Sequence, residues 1–132
     1  MKNISKIAIF IWTVILCSSC EPNPTKENGV LKGKISIGPI CPVETIPPNP
    51  ACLPTQETYK YWAVYVWTLD KKEKIAQLQP ELDGNYSLQL AVGRYILDLD
   101  DQHRFGKNLP ASIIIKNNET TIFDVNIDTG IR

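Results

Sequence analysis

Apolar and polar residues alternate with a period of two along much of the second half of the chain. The pattern is clearest in three segments, 86–90, 95–100 and 121–127. Successive side chains of a β-strand point to opposite faces, so this alternation is typical of strands that bury one face. No segment has a convincing period of 3.6, which would indicate a helix. The sequence therefore predicts an all-β protein, with seven short strands arranged as a two-sheet β-sandwich.

The same alternation assigns individual side chains to the core or to the surface. The side chains predicted to be mostly buried are Tyr86, Leu88, Tyr95, Leu97, Phe123, Val125 and Ile127. Those predicted to be mostly exposed are Lys32, Gln89, Asp98 and Asp124. A register slip of one residue would exchange the two sets, so they test the strand assignment directly.

The segment YKYWAVYVWTLD, residues 59–70, is dense in aromatic and β-branched residues and is predicted to be a central strand. Both of its faces would be apolar, so one face must be covered or must bind a partner. Tyr61, Tyr65 and Trp67 would share a face, and planar side chains can stack on sugar rings or on prolines. The favoured alternative is that the proline-rich loop described next folds over this face, because long loops without a role are unusual in compact domains.

That loop, GPICPVETIPPNPACLP at residues 38–54, contains six prolines and two cysteines. Outside the cytosol Cys41 and Cys52 can oxidise, and we expect them to form a disulfide. Closing the loop would stabilise the fold by ~3 kcal/mol in the chain-entropy model, and the prolines act in the same direction. A stiff exposed loop is also pre-organised for binding, which makes Pro47 and Pro48 candidate binding residues beside the aromatic set.

The first twenty residues have the features of an export signal. Lys2 and Lys6 are followed by a ten-residue apolar run, 7–16, which is shorter than the ~20 residues of a membrane-spanning helix. LCSSC, residues 16–20, resembles the lipobox of bacterial lipoproteins. The resemblance implies that Cys20 is lipidated and becomes the first residue of the mature protein, attached to a membrane through that lipid.

This interpretation divides the chain into a signal peptide (1–19), a proline-containing tether (20–28) and a sandwich domain (29–132). The first segment has two alternative interpretations. Cys17 and Cys20 have the spacing of a thioredoxin-like redox motif, but that motif requires a βαβ context that the flanking residues do not provide. The apolar run could also remain as an uncleaved anchor.

Few residues of the chain suggest catalysis. The formal net charge is zero and no block of Lys and Arg occurs, which argues against nucleic-acid binding. His103, next to Asp100 and Asp101, could act as a general base, but no serine lies in a nucleophile setting. With a single histidine, and with the two mature cysteines other than Cys20 assigned to a disulfide, a zinc site is not expected. We predict no catalytic residue, no cofactor and no enzymatic activity.

Calcium is the metal that the acidic residues could bind. The candidate oxygen ligands are Asp98, Asp100 and Asp101, together with Asp83 or Asn85. The first two, however, alternate with leucines in the way that a solvated strand face does. We therefore predict that the protein has no metal site.

Two turn motifs carry a resemblance to a known module. LDGNY (82–86) and VGRY (92–95) lie in a stretch that resembles the carboxypeptidase regulatory-like, or transthyretin (prealbumin)-like, module. GPICPVE and the terminal DTGIR (128–132) resemble parts of small bacterial secreted or lipid-anchored proteins. The resemblance implies a prealbumin-like, Ig-like sandwich, a fold used mostly for accessory or adhesion roles.

The functional expectation is a non-enzymatic, lipid-anchored protein of the bacterial cell envelope, attached to the outer membrane. Its sandwich would bind or scaffold a protein or a glycan. The alternative is an inhibitor of a peptidase or muramidase that acts through the closed loop 41–52. Whether the domain faces the periplasm or the outside of the cell stays open at this stage.

Overall fold

The computed structural model describes residues 25–43, 45–100 and 108–131 and is predominantly β. The eight strands are β1 (Asn28–Gly38), β2 (Val64–Trp67), β3 (Lys74–Gln77), β4 (Asn85–Ala91), β5 (Gly93–Leu99), β6 (Ala111–Ile115), β7 (Thr120–Ile122) and β8 (Val125–Asp128). A short helix, α1 (Gln56–Tyr61), and a 3-10 turn, Pro50–Cys52, lie between β1 and β2. No helix within the described ranges is long and apolar enough to cross a membrane.

The strands form two sheets that pack face to face. In the first sheet β1 is central, with β4 antiparallel on one side and β7 and then β8 parallel on the other. The second sheet has the order β3-β2-β5-β6, and all its pairs are antiparallel. The all-β sandwich is confirmed, with one strand more than predicted because the last predicted strand is divided into β7 and β8.

The division lies at Phe123, where its backbone approaches β1 very closely. A Cβ atom on Gly33 would lie 1.9 Å from the Phe123 carbonyl oxygen, so only glycine fits at this crossing. Tyr86, opposite Gly33 in the β1–β4 register, donates its hydroxyl hydrogen to the same carbonyl. The Asp124 carboxylate accepts the Lys34 N–H at 2.9 Å, and this bond replaces the backbone partner that β1 lacks here.

The core lies between the sheets and follows the predicted alternation. Of the predicted core, Tyr86, Leu97, Val125 and Ile127 are buried, while Leu88, Tyr95 and Phe123 are half-buried against them. Lys32, Gln89 and Asp124 are exposed, and Asp98 is half-buried on the outer face of the second sheet. The predicted faces of these strands are therefore confirmed, with Asp98 more covered than expected.

The prediction of a continuous strand over 59–70 is wrong in its first part. Residues 56–61 form α1, and β2 begins only at Val64. The helix starts at a reciprocal cap, in which the Thr55 hydroxyl accepts the Thr58 N–H at 3.3 Å and the Thr58 hydroxyl accepts the Thr55 N–H at 3.0 Å. The aromatic residues that follow prefer β-strands, but this cap stabilises a helix at their position.

The direction of β1 separates two ends of the sandwich. Its first residue, Asn28, lies beside the β6–β7 turn, where its carbonyl accepts the Asn118 N–H at 2.9 Å. Its last residue, Gly38, leads directly into the proline-rich loop. Eleven residues of strand at ~3.3 Å each place these two ends about 35 Å apart. We call them the tether end and the loop end.

Candidate functional site

The proline-rich loop, residues 39–54, is closed by the predicted disulfide. Cys41 and Cys52 are bonded, with Cα atoms 5.5 Å apart, so the prediction of this pair is confirmed. At the base of the loop, the Thr129 hydroxyl donates to the Pro39 carbonyl, and the Thr129 N–H donates to the Gly38 carbonyl at 3.2 Å. The half-buried side chain of Ile40 packs against the core. The loop is thus fixed to the sandwich where it leaves β1.

The second half of the loop is held by its own hydrogen bonds. The Asn49 side chain accepts the Ala51 N–H at 3.0 Å, and the Asn49 carbonyl accepts the Cys52 N–H at 2.8 Å. The Thr45 hydroxyl donates to the Pro47 carbonyl at 3.1 Å. These bonds and the disulfide restrict the backbone of the loop, which is the pre-organisation that the sequence indicated.

The tip of the loop points to solvent. Ile46 is fully exposed, Val43 is 72% exposed, and the candidate binding residues Pro47 and Pro48 are exposed as well. The favoured prediction that this loop covers the aromatic face of the second sheet is therefore wrong. The disulfide and the local bonds satisfy the loop internally, so its apolar tip is not needed to complete the core.

A groove of about 290 Å³ lies between the loop and the end of β1. It is lined by Ile37 and Gly38 from the strand and by Pro48 and Leu53 from the loop, among others. Leu53 is half exposed at its rim. The exposed tip and this groove both lie at the loop end, and we call the two together the loop surface.

The three aromatic residues proposed as one binding face do not lie together. Tyr61 is the last residue of α1, is 64% exposed, and contacts Trp62 edge-on with ring centroids 5.5 Å apart. Tyr65 and Trp67 lie on the outer face of the second sheet, edge-to-face at 6.2 Å. The prediction that Tyr61 shares their face is wrong, because the chain leaves the helix before β2 begins.

Lysines, rather than the loop, cover Tyr65 and Trp67. The Lys74 Nζ lies 4.1 Å from the Tyr65 ring centroid and 5.1 Å from that of Trp67, and the Lys71 Nζ lies 5.8 Å from the latter. Such contacts combine a cation–π attraction with burial of the lysine stem on the ring. Trp67 is only 7% exposed, and its buried Nε1 has no hydrogen-bond partner among the described residues.

The acidic residues considered for calcium are engaged elsewhere. Asp98 is ion-paired with Lys71, and Asp100 is paired with Lys74 at 3.2 Å. Asp83 accepts the backbone N–H of Asn85 at 2.9 Å, and this hydrogen bond lowers the pKa of the Asp83 carboxyl. Within residues 25–43, 45–100 and 108–131, no group of three or more acidic, histidine or cysteine side chains could hold a metal ion.

Several candidate residues lie outside the described ranges. These are the predicted signal peptide (1–19), the lipidation residue Cys20 with the first part of the tether, and His103 with its neighbour Asp101. The predictions made for them stand as they were derived from the sequence.

No family model and no curated protein matches the chain. Among solved structures, it is similar to a DUF3823 family protein from Parabacteroides merdae, at 16% identity and a TM-score of 0.46, over 76% of this chain and 46% of that one. It is also similar to GBS52, the minor pilin of Streptococcus agalactiae, at 11% identity and a TM-score of 0.48, over 77% and 44%.

A third similar structure is BcpA, the major pilin subunit of Bacillus cereus, at 12% identity and a TM-score of 0.44, covering 77% of this chain and 28% of that one. The chain thus spans less than half the length of each of these three structures. At these identities the likeness concerns the fold alone.

Proposed function

We propose that the protein is a non-enzymatic, lipid-anchored binding protein of the bacterial cell envelope, and that its loop surface contacts a protein partner. One observation carries this proposal. An isoleucine at the tip of a disulfide-closed loop, Ile46, is fully exposed although nothing in the fold requires it to be there. Apolar side chains clustered on an exposed surface are typical of interaction sites.

The energetics of the loop favour binding. Burying an isoleucine side chain against a partner contributes about 1.5–3 kcal/mol, and Val43 and Leu53 add further apolar area. The ordering cost that usually opposes loop binding is small here, because the disulfide and the bonds made by Asn49 already restrict the backbone.

The position of the loop fits a tethered protein. The chain enters the sandwich at the tether end and reaches the loop surface after the full length of β1. If Cys20 carries a lipid, the loop surface therefore faces away from the membrane. The partner that suits this geometry is a protein outside the bilayer rather than one embedded in it.

A non-catalytic role is supported by the state of the polar side chains. Asp98 and Asp100 are neutralised by lysines, and Asp83 is held in a tight turn by the N–H of Asn85. The groove at the loop end is lined mainly by apolar and proline residues. Such a surface offers shape and apolar area for recognition rather than groups for proton transfer.

The test is capture of the partner from envelope extracts of the source cells, with the full chain as bait. Ile46→Asp should weaken capture at least about tenfold, which corresponds to ~1.4 kcal/mol. Ile122→Asp is the matched control, because Ile122 is 67% exposed on β7 and outside the loop surface. Equal capture by both variants would refute the role of the loop surface.

The lipid anchor has a separate test. Cys20→Ser should abolish incorporation of labelled palmitate and leave the chain uncleaved. Continued labelling of this variant would contradict the assignment of Cys20. Absence of label on the unaltered protein would leave an ordinary signal peptide or an uncleaved anchor as the explanation.

The protruding loop also favours a second candidate function, inhibition of a peptidase or muramidase. A closed, exposed segment can occupy an active-site cleft without paying a large ordering cost. The discriminating measurement is the activity of the captured partner. Loss of its activity that Ile46→Asp reverses would support inhibition, whereas binding without any change in activity would exclude it.

A further inference from the structure

Edge strands of a sheet present unpaired N–H and C=O groups that can pair with another chain, and natural proteins usually block them. The edges formed by β3, β6, β7 and β8 are blocked. At β3 the pairing with β2 is interrupted by a register shift, and the strand begins with Lys74. At β8 the Asn108 side chain accepts the Asn126 N–H at 2.8 Å. The β6 and β7 edges are joined by the Thr121 hydroxyl, which donates to the Ile114 carbonyl.

The β4 edge has none of these devices along its centre. The strand, NYSLQLA, contains no proline and no charged residue, and it pairs with β1 without a register shift. The side chains of Asn85, Ser87 and Gln89 on its outer face are exposed and uncharged. The strand is therefore straight, polar on its outer face and open to pairing.

Hydrogen bonds of β1 show which groups of β4 face the open edge. The Ile35 N–H donates to the Gly84 carbonyl on the β4 side, and the Val30 N–H donates to the Glu119 carbonyl on the opposite side. Odd-numbered residues of β1 therefore turn their backbone groups toward β4. In the observed register Leu31 lies opposite Leu88, so Leu88 turns its backbone N–H and C=O groups toward β1. Its neighbours Ser87 and Gln89 therefore turn their backbone groups toward the open edge.

Both ends of the edge are already occupied. The Asn85 carbonyl accepts the Glu81 N–H at 2.9 Å, and the Asn85 N–H donates to Asp83. At the other end the Tyr95 hydroxyl donates to the Ala91 carbonyl at 2.8 Å. The open part thus consists of the N–H and C=O groups of Ser87 and Gln89, together with the Ala91 N–H, for which no partner is seen in the described part of the chain.

We propose that a second copy of this chain pairs antiparallel with the β4 edge. A two-fold axis at Leu88 places Ser87 of each copy opposite Gln89 of the other, and each such pair exchanges two N–H···O=C bonds. The open N–H and C=O groups of Ser87 and Gln89 are all satisfied by this register. β4 contains no charged residue, so two copies of this strand can pair without electrostatic repulsion. Two copies of a charged strand would place like charges opposite each other.

The dimer is weak in dilute solution and favoured on a membrane. Each hydrogen bond contributes modestly, and association has its own entropic cost. Confinement of anchored chains to one surface raises their effective concentration and shifts the equilibrium toward pairing. The β4 edge lies outside the loop surface, so self-pairing does not depend on the partner proposed above.

The test uses the purified full chain in detergent, by sedimentation across a wide concentration range. Ser87→Lys should raise the dissociation constant at least tenfold, because it places the two introduced lysines on diagonally neighbouring positions of the paired strands, about 7–8 Å apart. Ser112→Lys is the control: it is the same substitution at an exposed position of β6, and it should leave the constant unchanged. A monomer at every concentration, or a dimer that survives Ser87→Lys, overturns the proposal.

Amide hydrogen exchange provides a second, residue-specific readout. The amides of Ser87 and Gln89 should become protected as concentration rises, whereas the amide of Leu88 should be protected at all concentrations by its bond to β1. Protection of Ser87 and Gln89 that does not change with concentration would show that the edge is covered by the same chain, and this too overturns the proposal.

Discussion

Replacing Tyr86 by phenylalanine tests the crossing at which the last strand divides. The tyrosine ring is buried, and its hydroxyl donates to the Phe123 carbonyl across Gly33. Phenylalanine keeps the ring and therefore the apolar packing, so the substitution leaves no large cavity. It removes a single hydrogen bond and leaves the Phe123 carbonyl without its donor.

The expected loss of folding stability comes from the Phe123 carbonyl, which no longer accepts a hydrogen bond from residue 86. A buried polar group that loses its partner costs about 1–3 kcal/mol, more than the net worth of an average hydrogen bond. In a domain of this size each kcal/mol lowers the melting temperature by about 4–8 °C. We therefore expect Tyr86→Phe to lower the free energy of unfolding by about 1–3 kcal/mol at pH 7.

The same residue predicts a dependence on alkaline pH. Burial first, and the nearby Asp124 carboxylate second, raise the pKa of Tyr86 well above its usual value of about 10. The folded state thus holds this proton after the unfolded state has lost it. The stability linked to Tyr86 is fully present below pH ~10 and declines as pH rises beyond the unfolded pKa.

The assay is urea denaturation followed by tryptophan fluorescence at pH 7 and at pH 10.5. The stability difference between the unaltered protein and Tyr86→Phe should shrink at the higher pH, because the variant lacks the group that titrates. Ser112→Ala, which removes a hydroxyl at an exposed position of β6, is the control and should change stability by less than about 0.5 kcal/mol. If Tyr86→Phe also stays within that range at pH 7, the account of the crossing is wrong.

Three further predictions concern the crossing, the turn before β4 and the loop. Gly33→Ala should destabilise by about 3 kcal/mol in the same urea assay, because the added methyl meets the Phe123 carbonyl, and a change below 1 kcal/mol would contradict the close approach. Asp83→Ala should reduce stability at pH 7, and the difference should vanish as pH falls through the lowered folded pKa; a constant difference down to pH 2 would exclude the ionised carboxylate as the cause. Double replacement of Cys41 and Cys52 by serine should cost ~3 kcal/mol while the β-type circular dichroism is retained, whereas complete unfolding would show that the loop is part of the core.

The sequence predicted the features of the fold that depend on alternation. Leu97 and Val125 are inside and Asp124 is outside, because a period of two leaves one register that buries the apolar face. The disulfide was predictable because only two cysteines remained once Cys17 was assigned to the signal peptide and Cys20 to the lipid. The division between β7 and β8 was not predictable, since the pattern continues through Phe123 and only the approach to Gly33 interrupts the pairing.

The candidate site was harder to predict because it depends on contacts between distant segments. Composition favoured a strand at Tyr61, while the pair of threonines that caps α1 was the overlooked local signal. The cover of Trp67 could not be inferred from the sequence. The contacts come from Lys71 in the turn after β2 and from Lys74 in β3. In a sequence a lysine suggests a solvated charge, but its apolar stem can lie on an aromatic ring.

The course of β1 has a mechanical consequence. It joins the tether end to the loop end as one straight segment, flanked by β4 on one side and by β7 and β8 on the other. A force applied between a membrane anchor and a partner held at the loop would enter and leave through the two ends of this one strand. The extended covalent backbone of β1 would therefore carry the load, and the lateral hydrogen bonds to its neighbours would not have to resist it. A β-sandwich in which one central strand connects both attachment points can carry tension between them while its core stays folded.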